Sequence, residues 1–559
     1  MIGVLSVGPG GAATAEALVI SLGDAKLYPG RAADAVEDAW KNCDRLVLCM
    51  ATGIAVRLVA PLLTDKHSDP GVVTIDEARA NVIALIGGHE GGANALASRV
   101  AEIFGANPVV TTASEATGYP ALGELGRDLG FKLDPSSDVA GVTSAALAGA
   151  EITLVEQQRY PLSPFPSNFT RSSTPGEHSV LIDDRVAAEG PRQIVLRPRS
   201  LVVGVGCSRG ASAAAILDLV DRTLEGEGLH PLSVAEVRSV DAKSDESGLL
   251  EAAARRGWEL RFYPADELSD IEVPNPSAAP LQAVGTPSVA EAAASIGADL
   301  IVEKQRSVDV TVAIGRLRAR GALSIVGTGP GDLDLVPPLA RAHLRAAEVV
   351  VGFDAYVERV RPLLSPWVTA RTSPIGDEVA RAEEAVAEGS KGLRVALVSS
   401  GDAGVYAMAS PALEIAGDEI DVTVVPGITA ALAAASLLGS PLGHDHCAIS
   451  LSDHLTPWDE IVRRVEAAAQ ADLVVTFYNP RSSLRDWQLD HARDLLLVHR
   501  KPGTIVGLVK DAYRPEQVVQ FTTLEEMDTG LVDMTTVVVV GNEATRLQAG
   551  RMVTPRGYR

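Results

Sequence analysis

One pattern recurs three times along this chain of 559 residues and limits what it can fold into. A short β-branched run enters a glycine-rich turn, and an alanine-rich stretch of helical character follows. The turns are Gly8-Pro9-Gly10-Gly11 after residues 2–7, Gly206-Cys207-Ser208-Arg209-Gly210 after 201–205, and Gly327-Thr328-Gly329-Pro330-Gly331-Asp332 after 323–326. A strand covered on both faces is continuously apolar, and its exit needs glycine, so each start reads as the first strand of a parallel α/β unit. Further apolar runs at 45–49, 82–86, 395–398, 473–477 and 536–540 supply more strands. The chain is too long for one core. The fold class expected is α/β, built from several α/β blocks: 1–130, 201–318 and 322–559. Residues 131–200, rich in proline and polar residues (Tyr160-Pro161-Leu162-Ser163-Pro164-Phe165-Pro166), are expected to form an irregular middle segment. A second, short seam is expected over 316–321.

Charge narrows the partners. The formal net charge is −23, from 49 basic and 72 acidic residues, and the acidic excess is spread over both halves. A nucleic-acid binder needs a basic face, so none is expected. Cys43, Cys49, Cys207 and Cys447 are too few and too scattered for a disulfide framework or a zinc ribbon and read as buried thiols. No metal site is expected. The N-terminus lacks a basic region before its apolar run, and no apolar run reaches the roughly 18–20 residues of a membrane helix. A soluble, cytoplasmic protein is the expectation.

None of the glycine turns is a Walker loop, and none matches the dinucleotide fingerprint. A single glycine turn means only a tight strand end; function has to come from sets of loops. The last block supplies such a set. Ser399-Ser400-Gly401-Asp402-Ala403-Gly404-Val405-Tyr406, Val425-Pro426-Gly427-Ile428-Thr429-Ala430, Phe477-Tyr478-Asn479-Pro480-Arg481-Ser482 and Asp533-Met534-Thr535-Thr536 join the 327–332 turn at strand ends. Open α/β sheets collect ligands there, and glycine admits a ligand close to the backbone. These features suit a zwitterionic nucleoside such as S-adenosylmethionine without triphosphate machinery.

With Pro441-Leu442-Gly443-His444-Asp445-His446-Cys447, Leu455-Thr456-Pro457-Trp458 and the ending Gly550-Arg551-Met552-Val553-Thr554-Pro555-Arg556-Gly557-Tyr558, the block resembles the two-lobed tetrapyrrole (corrin/porphyrin) methyltransferases. More narrowly it resembles the precorrin-3B C(17)-methyltransferases. The resemblance implies lobes at about 322–428 and 433–550, and S-adenosylmethionine held by Gly401, Asp402, Gly404, Val405, Tyr406, Thr429, Ala430, Phe477, Tyr478, Met534 and Thr535. It places Gly329, Pro330, Gly331 and Asp332 against the tetrapyrrole, with Arg481 as a carboxylate clamp. The coupled ring contraction needs proton movement, for which His444, Asp445 and His446 are the acid–base candidates. Ala403 departs from the proline many relatives carry there, which predicts altered loop rigidity. A homodimer through this block is also implied.

Residues 1–321 resemble the cobalt-precorrin-5A hydrolases, which open a δ-lactone and release acetaldehyde. The match rests on Lys66-His67-Ser68-Asp69-Pro70, Gly88-His89-Glu90-Gly91-Gly92-Ala93-Asn94, the 204–210 turn, Asp241-Ala242-Lys243-Ser244-Asp245-Glu246, residues 285–293 and Glu303-Lys304-Gln305. For lactone hydrolysis, His89 or Glu90 is the candidate base for water, and Lys66 or Arg57 lies near the developing oxyanion. Cys207 reads as a buried small hydrophobe. The expected whole is a bifunctional enzyme of corrin biosynthesis acting on corrinoid intermediates. The alternative is a methyltransferase fused to a non-catalytic corrinoid carrier, and whether the substrate bears cobalt stays open.

Overall fold

The structure is a computed structural model that describes residues 1–65, 68–88, 91–111, 119–186, 190, 192–482 and 485–558. Each of the three glycine-turn starts is a buried strand: Ile2–Ser6, Leu201–Cys207 and Gly321–Gly327. Each lies inside its sheet, between two neighbours.

The first sheet runs in the order Ala25–Leu27, Ile2–Ser6, Arg45–Cys49, Gly71–Ile75, Asn81–Ile86, Asn107–Val109. Alternation along its strands feeds two cores. Ile2, Val4, Val47 and Val73 pack on one face, and Leu5, Leu46, Leu48 and Val72 pack on the other. Covering both faces is what makes these strands apolar throughout; each fully buried valine or leucine contributes about 1.5–3 kcal/mol.

The segment 131–200 is not irregular. It carries a five-stranded sheet in the order Lys132–Leu133, Gln193–Arg197, Ser179–Ile182, Ile152–Glu156, Phe169–Arg171. Its core draws in Leu122 and Leu125 from before residue 131, together with Tyr160 and Leu162 from the proline-rich stretch. The prolines punctuate a loop that packs inward, so local composition hid a tertiary core. The next sheet, Glu259–Tyr263, Val234–Val240, Leu201–Cys207, Val310–Leu317, Ala298–Arg306, ends in an antiparallel pair.

After residue 320 the chain builds two more five-stranded sheets. Thr369–Ser373, Val349–Phe353, Arg394–Ser399, Gly321–Gly327 and Ile420–Val425 are all parallel. His446–Ser450, Val474–Tyr478, Thr536–Val540, Ile505–Lys510 and Val518–Thr523 form a mixed sheet. The helix Ala430–Leu438 lies between the two in sequence, and its Ala433, Ala434 and Leu438 share a core with Val474, Val509 and Val539 of the second lobe. No described helix is long and apolar enough to cross a membrane.

Candidate active sites

In the first lobe of residues 322–559 three neighbouring strands end side by side, because Val326 pairs with Val398 and with Val425 in parallel register. Their exit loops therefore leave at one edge. Gly329 and Gly401 exchange backbone hydrogen bonds (3.0 and 2.8 Å), and the Thr328 hydroxyl donates to Ser399 O at 2.9 Å. The third loop fits only as glycine: a Cβ on Gly427 would stand 2.1 Å from Gly401 O. Asp402 spends its carboxylate on this knot, accepting from Gly404 N at 2.8 Å and Gly427 N at 3.0 Å. It thus fixes the loop on which it was expected to meet the cofactor. Ala403 is fully buried in the lobe's core, where the small side chain keeps the loop compact.

The second lobe closes on this knot through Tyr478. Its hydroxyl lies 2.5 Å from Thr429 Oγ1 and accepts from Ala431 N at 2.9 Å, at the start of the helix that begins with Ala430. Its ring lies 5.2 Å from that of Tyr406. Tyr406 is held in the left-handed region (φ 51°), 54% exposed, with its hydroxyl donating to Ala448 O at 3.0 Å. Val405 is half-buried beside it. Phe477, expected at the cofactor, is instead fully buried among Ile461, Leu489 and Val538. Successive residues of a strand face opposite ways, so Tyr478 reaches the loops and Phe477 cannot.

A hollow of about 450 Å³ is lined by Arg481, Ser482, Val532, Asp533, Met534 and Thr535. Burial alone would raise the Asp533 carboxyl. Hydrogen bonds from Lys510, Thr535 and Thr536 prevail and bring it down to about 2. Arg481 faces Asp490 of its own lobe at 3.8 Å. Asp332 is exposed and caps a short turn through Asp334 N, while Pro330 O accepts from Arg514 Nε of the second lobe at 3.1 Å.

The three acid–base candidates are not brought to this cluster. His444 and Asp445 are exposed and interact with each other, and His446 opens the strand whose other end, Ser450, pairs with Tyr478. At about 3.3 Å per residue, that strand sets His446 about 13 Å from Ser450. Residues that sequence reasoning passed over lie closer. Arg485 donates to Asn479 O at 2.8 Å, Asn479 donates to Ser450 Oγ at 3.1 Å, and Asp511 joins Arg514 to the Thr535 hydroxyl (3.1 Å each). The signal for the last set was a charged run, Lys510-Asp511-Ala512-Tyr513-Arg514, directly after an apolar strand.

In residues 1–111 the strand Asn81–Ile86 runs antiparallel to Gly71–Ile75, with Val72 opposite Ile86. The loop after Ile86 therefore meets the loop that enters Gly71, and a Cβ on Gly71 would stand 2.1 Å from Gly91 O. Asp69 is buried there and accepts from the backbone and hydroxyl of Thr64. The fold thus unites the two segments that carried the hydrolase expectation. Lys66, His67, His89 and Glu90 themselves lie outside the described residues, as do Thr112–Gly118. Arg57 is tied within its own helix. Its helix, Thr52–Val59, starts from the opposite edge of the sheet, and its guanidinium turns back to Gly53 O at 2.9 Å. Cys207 sits at the end of its strand, and burial pushes its thiol up, away from a reactive thiolate.

A two-lobed α/β unit whose loops gather at the strand ends, bridged to the second lobe by Tyr478 and Arg514, is an architecture that takes small-molecule ligands at that edge. Residues 322–528 match the model of the tetrapyrrole (corrin/porphyrin) methylases, and residues 34–115 and 201–315 match the N-terminal and C-terminal models of cobalamin synthesis G. The chain is 46% identical over 239 residues to a probable cobalt-factor III C(17)-methyltransferase of Salmonella typhimurium, covering 42% of this chain and 99% of that one. It is 45% identical over 246 residues to a cobalt-factor III methyltransferase of Priestia megaterium, covering 43% of this chain and 45% of that protein, so it spans less than half of that relative's length. It is 30% identical over 309 residues to a cobalt-precorrin-5A hydrolase of Priestia megaterium, covering 52% of this chain and 83% of the relative. The chain belongs to the tetrapyrrole methylase family and joins to that unit both segments of cobalamin synthesis G.

Proposed function

We propose that residues 322–559 transfer a methyl group from S-adenosylmethionine to C-17 of precorrin-3B or cobalt-factor III with ring contraction, and that residues 1–321 open the δ-lactone of cobalt-precorrin-5A with release of acetaldehyde. The two units divide near residues 316–321. The observation that carries the methyltransferase reading is the interlock of Gly329, Gly401 and Gly427 with the Tyr478–Thr429 contact, which assembles one ligand edge from both lobes.

The residues at that edge fit the cofactor. Tyr406 and Met534 expose an aromatic ring and a thioether to a flat base, and a Cβ on Gly404 would meet only Asp402 Oδ1, at 3.2 Å, so its backbone is open to close approach. When bound, S-adenosylmethionine supplies the electrophilic methyl group. Methyl transfer needs in-line placement more than acid–base chemistry. Asp402 holds the loop amides in place, and Tyr478 holds the second lobe on the first. For the hydrolase, the union of the 63–70 and 87–92 loops supports a lactone site at that edge, with His89 or Glu90 as the base for water and Lys66 beside the oxyanion.

Two assays on the full chain test this reading. Incubation with S-adenosylmethionine and cobalt-factor III or precorrin-3B is expected to add one methyl group by mass. Cobalt-precorrin-5A is expected to release acetaldehyde, and His89→Ala and Glu90→Gln together to slow that release about 10²–10⁴-fold while leaving methylation intact. Methylation without acetaldehyde from a verified lactone would make residues 1–321 a carrier.

A further inference from the structure

We propose that Arg514 is a positioning residue for methyl transfer: reaching from the second lobe, it fixes the Gly329–Asp332 loop of the first lobe against the 533–535 loop, so that macrocycle and methyl donor are held at one spacing. The proposal rests on the methyltransferase reading above.

The turn that carries Arg514 is built for reach. The strand Ile505–Lys510 ends with Lys510 opposite Thr536, so residues 511–514 and 533–535 meet at the same edge of the sheet. Asp511 N donates to Thr535 O at 3.0 Å. Asp511 and Tyr513 both take left-handed backbone angles (φ 48° and 57°), which residues with side chains rarely adopt and which persist only where the surroundings hold them. The helix Ala430–Leu438 and the turn itself supply that hold. Ala512 is buried in the core that contains Ala433 and Leu438, the Tyr513 hydroxyl lies 2.8 Å from Ser436 Oγ, and Tyr513 N donates to Gln517 Oε1 at 2.8 Å. The strained turn sends the Arg514 side chain out of its own lobe.

The guanidinium serves both lobes. Its Nε donates to Pro330 O at 3.1 Å, and its Nη1 donates to Asp511 Oδ1 at 3.1 Å. The stem lies against Gly331, where a Cβ would stand 2.7 Å from Arg514 Cγ, so the loop takes the arginine because it has no side chain there. Asp511 passes the hold on: its Oδ2 accepts from the Thr535 hydroxyl at 3.1 Å, and Thr535 N donates to Asp533 Oδ1 at 2.9 Å. Asp533 and Thr535 line the hollow with Met534. Within the first lobe, Gly329 exchanges backbone bonds with Gly401. The Gly329–Asp332 loop is therefore held between the 401 loop of its own lobe and an arginine of the other. Only 23% of the Arg514 side chain and 14% of the Asp511 side chain are exposed, so water competes little for these bonds. A lysine offers one compact ammonium and cannot hold two acceptors in the fixed geometry of the guanidinium fork. Each of these bonds goes to protein. Arg514 thus acts through the spacing of two loops, on which in-line methyl transfer depends steeply.

The test uses the full-length chain with Arg514→Met, which keeps the stem and removes the fork, with Arg514→Lys, with Asp511→Asn, and with Arg514→Met and Asp511→Asn combined. Calorimetry with S-adenosylhomocysteine reads the cofactor site, steady-state methylation of cobalt-factor III separates kcat from KM, and amide hydrogen exchange by mass spectrometry reads the 329–335 segment. The expected result for Arg514→Met is a kcat lowered about tenfold or more, with KM and S-adenosylhomocysteine affinity changed far less and faster exchange over 329–335. Arg514→Lys should fall in between, and the combined variant should be no slower than Arg514→Met alone, because both residues act through one chain of bonds. A lower Tm with kcat at the wild-type value would make Arg514 a stabilising contact only and overturn the proposal. A loss confined to S-adenosylhomocysteine affinity would overturn it as well, assigning Arg514 to the cofactor site. If the wild type methylates no corrin precursor, the functional reading fails, and hydrogen exchange still decides whether Arg514 holds the loop; unchanged exchange in Arg514→Met would overturn that hold.

Discussion

Two aspartates of the second half show how much depends on a single carboxylate. Asp402 satisfies two loop amides, Gly404 N and Gly427 N, that have no other partner among the described residues. Gly427 N is part-buried, and leaving such a donor unpaired costs about 1–3 kcal/mol, so Asp402→Ala is expected to loosen the knot and weaken S-adenosylhomocysteine binding about tenfold or more by calorimetry. Gly404→Val should weaken it too, by placing a branched side chain where the backbone is open. Unchanged affinity in both folded variants would remove this loop from the cofactor site. Asp533 makes a prediction in pH. Its carboxyl sits at about 2 against the ordinary 3.8, so it stabilises the fold above pH 3.8, and that contribution fades as pH falls toward 2. Nearly half of its side chain meets solvent, and screening reduces the gain to about 1 kcal/mol. Asp533→Asn should flatten that part of the acid unfolding curve, as followed by circular dichroism.

At the level of elements, strand alternation and strand length sort the candidate residues. Phe477 and Tyr478 are neighbours in sequence, yet one serves a core and the other a site, because a strand turns successive side chains to opposite faces. His446–Ser450 works by length, separating His444 and Asp445 from the loops beyond its far end. His444→Ala is therefore expected to leave S-adenosylhomocysteine affinity unchanged. Loop interlock is the third device. Gly427→Ala would press a methyl group onto Gly401 O and onto Gly327, whose carbonyl carbon would lie 2.6 Å away, with no flexible side chain to yield. A loss of about 1–3 kcal/mol, and a Tm lower by several degrees, is expected. A Tm equal to the wild type would mean that the loops are free to separate.

Across the whole molecule the informative place is the junction between the 131–200 sheet and the methyltransferase. Glu348 is buried there, with Arg159 at 2.5 Å, Arg171 at 3.4 Å and Arg394 N at 3.3 Å, and Arg394 Nε reaches Pro161 O at 2.8 Å. Gln158 grips the connecting segment through Leu317 O and Ala319 N. Burial raises the Glu348 carboxyl to about 7, with Arg159 opposing. A raised carboxyl keeps its proton in the folded chain after the unfolded chain has lost it. Stability should therefore fall as pH rises from about 4.5 to 7 and be flat above, by about 3 kcal/mol at most. Glu348→Gln should abolish that slope in urea unfolding, and an identical slope would place its origin elsewhere. The same junction governs dissection. A fragment starting at Arg320 keeps the interior strand Gly321–Gly327 whole and should fold and methylate, with a lower Tm. An insoluble fragment would show that the junction is part of its core.

Much of this protein was legible in its sequence because local rules were enough. Parallel strands buried on both faces must be apolar and must exit through glycine, so the three strand starts and the loops at 401–406 and 427–430 announced themselves, and the ordered motifs pointed to the two enzyme families. Tertiary structure alone decided the rest. The core of 131–200 comes from short runs separated by prolines and becomes apolar only when Tyr160 and Leu162 fold back over it. The edge shared by 63–70 and 87–92 depends on one antiparallel pairing, which no periodicity in either strand reveals. The hydrogen bond from Arg514 to Pro330 O joins residues of different lobes. Sequence carries what each segment needs for itself; which segments meet is set by how the sheets pair and pack over the whole chain.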